Sequence, residues 1–459
     1  MKINNNIQAL NAYRNLYQNQ FQTSKNLEKL SSGLRINRAA DDAAGLAISE
    51  KMRSQIRGLK MAERNAMDGI SLMQTSEGAM QEVHTMLQRM RELAVQAAND
   101  TNTEYDREQI QKEIDQLMTE IDSISEKTEF NTRKLLNGFS AVLTTYQNDA
   151  NSQTNLIGFP LVTDANIKSG EYSLVVSGTS PVYTVTQPAA GLGSDDEDIV
   201  FTDADASMKY GEYTIMVRNV TGEDATIEIL DPDGLSLGTK AVKIGTEVEG
   251  EEPVDVFGLS IDTSKISQAG TVKVKMEASA TIQLNDADGN TIHAARELTS
   301  VNGKFKHGGV EYQFMNNMSN GTMDFTITNN ALSFQIGPNT NQNVMIDIPR
   351  MDVVTLGIEG TNVLTNSDAN QAIFSIDQAI NKLSDARAKL GAVQNRLEHT
   401  INNLQVTHEN LTASESRIRD ADMALEMTVF TRNNILNQSA TAMLAQANQL
   451  PQGVLQLLQ

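Results

Sequence analysis

The stretch Ile110-Gln111-Lys112-Glu113-Ile114-Asp115-Gln116-Leu117-Met118-Thr119-Glu120-Ile121-Asp122-Ser123-Ile124 sets isoleucine or leucine at steps of four, three, four and three. That period lines all five along one face of an α-helix. Upstream, Ile48, Met52, Ile56, Leu59, Ala66, Ile70 and Met73 form a looser stripe, and Asn99-Asp100-Thr101-Asn102 supplies a turn between the two. A helical hairpin is the expected result. A further helix, with Ile3, Ile7, Leu10, Tyr17, Phe21, Leu27 and Leu30 on roughly one side, should stop near Gly33. No proline interrupts residues 1–138.

The far end of the chain has the same character. Leu383, Leu390, Leu397, Leu404 and Leu411 recur every seventh residue, the mark of a coiled-coil seam. The alternate core positions are Ile380, Arg387, Gln394, Ile401 and His408. Polar groups there weaken a simple dimer and suit a bundle in which they face another helix. Farther on, Leu436, Ala440, Met443, Ala447, Leu450, Val454 and Leu457 alternate steps of four and three, with Pro451 as a candidate kink.

Between these ends, residues 139–365 change to short alternating runs rich in valine, isoleucine, threonine and tyrosine, broken by glycine and aspartate turns. Candidate strands are Tyr172 to Val176, Glu212 to Val217, Thr226 to Ile229, Thr271 to Met276, Thr281 to Leu284, Met323 to Thr328 and Asn343 to Ile348. Two stretches echo each other. Gly170-Glu171-Tyr172-Ser173-Leu174-Val175-Val176 resembles Gly211-Glu212-Tyr213-Thr214-Ile215-Met216-Val217, and Ala225 to Ile229 with the turn Asp231 to Gly234 resembles Ala280 to Leu284 with Asp286 to Gly289. We read related strand-and-turn units.

The predicted fold is therefore α+β: long terminal helices forming a coiled-coil bundle, with a central β-rich insert as one or two outer domains. The expected segments are an inner helix and linker (1–40), half of a helical bundle (41–138), the β-rich region (139–365), the other half of the bundle (366–419) and a second inner helix (420–459). Apolar helix faces without an intrachain partner usually become buried in an assembly.

Composition excludes several functions. With 37 basic against 58 acidic residues the formal charge is −21, a field that repels nucleic-acid phosphate and anionic membrane surfaces. There is no cysteine, so disulfides, thiolate metal sites and thiol nucleophiles are absent. No run of about 18 apolar residues spans a membrane, and Met1 to Ile7 lack the apolar core of a cleaved secretory signal.

Specific motifs then narrow the reading. Leu30-Ser31-Ser32-Gly33-Leu34-Arg35-Ile36-Asn37, Asp41-Asp42-Ala43-Ala44-Gly45, Asn65 to Ser71, Arg91 to Asn99 and Phe130-Asn131 follow in order. Near the other end stand Gln394 to Glu398, Glu409 to Thr412, Ser414 to Asp420, Met443 to Gln449, Pro451-Gln452 and Val454 to Leu458. Both sets resemble the terminal signatures of bacterial flagellins, over roughly the first 138 and last 95 residues. The resemblance implies an extracellular filament subunit for motility, exported by the flagellar type III apparatus without a cleaved signal. A chaperone would cover its carboxy-terminal helix before export, and hook-associated junction and cap proteins would bound the polymer of self-copies. It also implies that segments 1–40 and 420–459 are disordered in the monomer and order against neighbouring subunits. The inner-helix assembly residues would then be Ile3, Ile7, Leu10, Phe21, Leu27, Leu436, Ala440, Met443, Ala447, Leu450, Val454 and Leu457. The bundle seam would comprise Ile110, Ile114, Leu117, Ile121, Leu383, Leu390, Leu397, Leu404 and Leu411.

Arg89, Leu93 and Glu113 align with the positions through which this family contacts the Toll-like receptor that senses it; the plainer reading is a solvated charged face. The acidic run Ser194 to Asp198 has no calcium-loop spacing and reads as a surface loop. The histidines are His84, His293, His307, His399 and His408, and no two have the gap that sets both on one helix face around zinc. No catalytic site, metal or cofactor is expected. Two other roles remain: a hook–filament junction protein, or a β region that also binds surfaces or glycans through tyrosines near Tyr172, Tyr210 and Tyr213.

Overall fold

The computed structural model describes residues 6–146, 156, 159–192, 199–201, 209–221, 224–244, 254–286, 289–314 and 318–457. Its helices are α1 (Ile7–Ser32), α2 (Ala43–Ala97), α3 (Glu104–Lys127), α4 (Val353–Leu356), α5 (Asn366–Arg419) and α6 (Met423–Leu457). Local chemistry sets their ends. The Asn6 side chain accepts from Ala9 N at the start of α1, and Gly33 (φ 72°) closes it with its N–H on the Lys29 carbonyl. Between α2 and α3, Thr103 and Asp106 form a reciprocal capping box, each side chain bonding the other's backbone N–H. α6 is one helix through Pro451, where a kink was expected; the side chains from Leu450 onward lie outside the described residues.

The chain divides into two compact units: Met1–Gln74, Ser333–Val344 and Lys389–Gln459 form the first, and Thr75–Leu332 with Met345–Ala388 the second. α2 and α5 each contribute to both.

In the first unit α1 and α6 run antiparallel. Asn6 Nδ2 donates to the Ala447 carbonyl (2.8 Å), Asn437 Nδ2 to Thr23 Oγ1 (2.8 Å), and Lys29 pairs with Glu426 (3.2 Å). Each terminal helix thus has the other as a partner within the chain. Beside them α2 and α5 are also antiparallel, with Leu59, Ala62 and Leu404 in one small core flanked by Leu411. The segment Ser333–Val344 lies on α2, where Asn65 Nδ2 donates to the Gln335 carbonyl (2.9 Å). A Cβ on Gly58 would stand 2.9 Å from Pro338 Cβ, so that approach requires glycine.

In the second unit α3 buries Ile110, Ile114 and Ile121, with Leu117 half-buried. Gln111 clamps the chain before α5, donating to the Thr361 carbonyl and accepting from Val363 N, both at 2.9 Å. An antiparallel sheet follows the strand order Val142–Tyr146, Gly321–Asn329, Gly170–Gln187, Gly270–Asp286, Gly211–Thr221, Asp224–Leu230, Ser236–Lys243, and Thr291–Thr299 pairs beside Gly270–Asp286. The predicted strands Thr271 to Met276 and Thr281 to Leu284 are a single strand, Gly270–Asp286. Its residues 272, 274, 276, 278, 280, 282 and 284 are all buried, so alternation never flips and nothing forces a break.

The echoed segments occupy equivalent places. Leu174 pairs with Leu284, and Ile215 with Ile229, the fifth residues of each matching stretch. Tyr172 Oη donates to the Lys168 carbonyl (2.8 Å) and Tyr213 Oη to the Lys209 carbonyl (2.7 Å), four residues back in both cases. The same kind of strand pair has been built twice in one sheet, once as a hairpin and once from strands far apart in the chain. These tyrosines and Tyr210 are buried in its core, which corrects their reading as an exposed aromatic cluster.

Candidate assembly surface

Along α1 the buried and half-buried positions include Ala9, Ala12, Leu16, Asn19, Thr23, Asn26 and Leu30, at steps of three and four. On α6 they include Asn433, Asn437, Ala440, Leu444 and Ala447. This seam between the helices mixes small and polar residues with a few leucines, Leu16, Leu30 and Leu444. Sequence reasoning followed the largest apolar side chains and missed it, although the parallel heptad of alanine, asparagine and threonine was there to read.

The bulky stripe consequently faces outward. On α1, Ile7, Leu10 (73% exposed), Tyr13, Tyr17, Phe21 (58%) and Leu27 are exposed; on α6, Leu425, Met427, Ile435, Leu436 and Met443 (68%) are exposed. Of the expected assembly residues, Ala447 is buried and Ala440 half-buried within the seam. Leu436 and Met443, on the same arc of α6, stay exposed at the edge of that seam. Ile3 and the side chains of Leu450, Val454 and Leu457 lie outside the described residues.

The base of this pair is fixed by a backbone clasp that the sequence did not announce. Arg35 N donates to the Arg419 carbonyl (2.7 Å) and Ala421 N to the Gly33 carbonyl (2.9 Å), across the Leu34–Asp420 bridge. Arg35 also donates to the Ile418 carbonyl (2.5 Å), and Arg419 reaches Glu50 (2.9 Å), whose carboxyl is held below its usual range by that hydrogen bond.

On α5, Leu390 and Leu397 are buried, Leu404 nearly so and Leu411 half-buried within the first unit; Leu383 is buried within the second. At the polar alternate position Arg387 pairs with Glu77 of α2 (3.6 Å), the facing-helix arrangement expected of it. Arg91 of α2 pairs with Asp377 of α5 (2.6 Å).

The candidate receptor positions divide. Arg89 and Glu113 are half exposed and joined by two hydrogen bonds, from Nε (3.0 Å) and from a terminal nitrogen (2.9 Å); those bonds to Glu113, with Glu92 behind them, raise the guanidinium pKa further. Leu93 is 2% exposed, so it is a core residue of the helical part of this unit, and a surface leucine beside that ion pair is ruled out. In the β region the His293 and His307 rings lie edge to face at 5.9 Å, and burial holds His307 below the usual histidine pKa. No group of three or more metal-ligating side chains gathers among the described residues. The run Ser194 to Asp198 lies outside them. In the Asp231 to Gly234 turn, the Asp231 carboxylate accepts from the backbone N–H groups of Asp233 and Leu235.

Residues 3–141 match the family model for the bacterial flagellin N-terminal helical region, and residues 373–458 that for the bacterial flagellin C-terminal helical region. A flagellin of Clostridium tyrobutyricum is 41% identical over 98% of this chain and the whole of that protein. The chain belongs to the bacterial flagellin family. A flagellin of Bacillus subtilis (strain 168) is 37% identical over the full length of both chains. Among solved structures, Bacillus cereus flagellin aligns with 19% identity over 74% of this chain and 88% of that one, with a TM-score of 0.27. As a flagellin, the protein is a structural subunit of the bacterial flagellar filament, outside the cell.

Proposed function

We propose that the outward apolar faces of α1 and α6 drive polymerisation, each subunit covering those faces on its neighbours. The observation that carries this reading is that many large apolar side chains of both terminal helices, Leu10, Tyr17, Phe21, Ile435 and Met443 among them, stay exposed in the subunit. Burying each contributes on the order of 1.5–3 kcal/mol, set against the entropy of ordering the helices. The clasp at Gly33–Arg35 and Arg419–Ala421 transmits the position of the α1–α6 pair to α2 and α5, whose buried leucines supply the rigid part of the subunit. In this scheme 1–40 and 420–459 are the inner layer, 41–138 and 366–419 the bundle, and 139–365 the variable outer part.

Export through the flagellar type III apparatus, without a cleaved signal, fits a carboxy-terminal helix whose apolar face needs a chaperone beforehand. Hook-associated junction and cap proteins would meet the same helix faces at the filament's ends. Any recognition by a Toll-like receptor rests on Arg89 and Glu113 as an exposed ion pair. The role is structural, with no catalysis, metal or cofactor.

Electron microscopy of the full-length protein beside a variant lacking residues 420–459, with short filament seeds, tests the assembly reading. Long filaments from the full chain alone are expected. Short caps on seeds, with no elongation, would replace the filament subunit with a junction protein.

A further inference from the structure

Sulfur in this chain is confined to methionine: there are 20 methionines and no cysteine. The fold sorts them. Met73, Met80, Met90, Met276 and Met323 are buried in the helical and β cores. Met423, Met427 and Met443 are exposed on α6, at 46%, 51% and 68%, on the helix that also exposes Leu425, Ile435 and Leu436.

A thioether suits an assembly surface for as long as it stays a thioether. Its unbranched, polarisable side chain fills irregular apolar gaps on a partner, yet a mild oxidant converts it where leucine and isoleucine are inert. Hydrogen peroxide transfers one oxygen to the sulfur: the O–O bond breaks, an S–O bond forms, and the other oxygen leaves with both hydrogens as water. Sulfur is oxidised and peroxide reduced. The sulfoxide is polar and accepts hydrogen bonds, so burying it against apolar side chains is costly. With no thiol in the chain to react first, peroxide acts on the exposed thioethers directly. We propose that Met423, Met427 and Met443 form an oxidation-sensitive element of the assembly surface. Peroxide converts them in the free subunit and so prevents its addition to a filament, whereas subunits already incorporated bury these sulfurs and are spared. This rests on the reading that neighbouring copies cover the outward face of α6. It does not require α1 and α6 to be paired beforehand, because an unpaired α6 exposes the same sulfurs.

Full-length subunits are treated with dilute hydrogen peroxide, and sulfoxide at each methionine is followed by peptide mass spectrometry. In the free subunit Met423, Met427 and Met443 should oxidise about tenfold faster than Met73 and Met80, and in preformed filaments about tenfold more slowly than in the free subunit. Treated subunits should elongate filament seeds about fivefold more slowly than untreated ones. The combined variant Met423→Leu, Met427→Leu and Met443→Leu nearly keeps side-chain volume and should grow after peroxide to within about twofold of its untreated rate. Undiminished elongation by subunits whose α6 methionines are oxidised overturns the proposal. So does a peroxide block that persists in the leucine variant, which places the damage elsewhere, Met61 and Met67 of α2 being exposed too. Equal oxidation of the α6 methionines in filaments and free subunits also overturns it, and this comparison decides the matter in the parent even where the leucine variant does not grow. An untreated parent that does not elongate seeds fails the assembly reading itself, a result distinct from any effect of peroxide.

Discussion

The sheet of the second unit and the α1–α6 pair of the first handle their large apolar residues in opposite ways. In the sheet, Leu174, Ile215, Ile229, Val272, Ile282, Phe325 and Ile327 are all inside, and the alternation of the strands closes the core within one chain. In the helical pair, Leu10, Tyr17, Phe21 and Met443 are outside, while the contact is shared among asparagine, threonine, alanine and a few leucines such as Leu16. A region that buries its bulky residues is stable as a subunit. A region that exposes them offers apolar surface to other copies, as the proposed assembly requires.

The sharpest way to break this contrast is Phe325→Ala. The ring sits fully buried between Tyr172 (centroids 6.0 Å) and Tyr312 (6.2 Å), and its removal should cost about 3–5 kcal/mol of subunit stability, measured as a shifted urea midpoint. Seeded polymerisation below that midpoint should persist, since the helical ends are untouched.

A smaller loss, about 1–3 kcal/mol, is expected from Glu277→Ala. This buried carboxylate accepts from Ser300 Oγ and Asn302 N (3.0 Å) and pairs with Lys275 (2.9 Å). Burial pushes its pKa up, but those partners outweigh burial and leave it below its ordinary value. Its contribution is therefore complete above the ordinary carboxylate value, near 4.5, and fades as pH falls through the lower folded value. Denaturation from pH 7 to 3 should show the gap between parent and Glu277→Ala closing at the acid end; a gap that widens there would contradict the assignment.

Gly58→Ala should cost about 1–3 kcal/mol and loosen the Ser333–Val344 segment, seen as faster hydrogen exchange at Ile336 N, which is bonded to the Gln342 carbonyl. The effect should stay within the first unit.

Least visible in the isolated subunit is Phe21→Ala. An exposed ring contributes little there, so the urea midpoint should move by no more than about 0.5 kcal/mol. The concentration needed for filament growth should nonetheless rise severalfold. A large loss of subunit stability instead would mean that Phe21 already has an intrachain partner.

Much of the architecture was legible in the residues. The isoleucines from Ile110 to Ile121 and the leucines from Leu383 to Leu411 marked helices correctly because 3.6-residue periodicity is a local property of the chain. Gly33 and the turn Asn99 to Asn102 marked helix ends for the same reason. The candidate site was less legible. The stripe from Leu436 to Ala447 shares one arc of α6, and which part of that arc is covered, Ala440 and Ala447, and which stays exposed, Leu436 and Met443, could not be read from spacing. Leu93, read as a surface residue beside Arg89, is in the core.

By itself, then, the sequence determined which segments are helix and which are strand, the echoed strand-and-turn segments at Gly170 to Val176 and Gly211 to Val217, and membership of a family with shared ends. Only the tertiary structure decided which of two interleaved heptads on α1 and α6 forms the contact, that Thr271 to Leu284 belongs to one unbroken strand, and that Gly33–Arg35 clasps Arg419–Ala421. Periodicity tells that a face exists and how it repeats. Which face is covered depends on partners hundreds of residues away, whose approach distance is set by side-chain size at the contact.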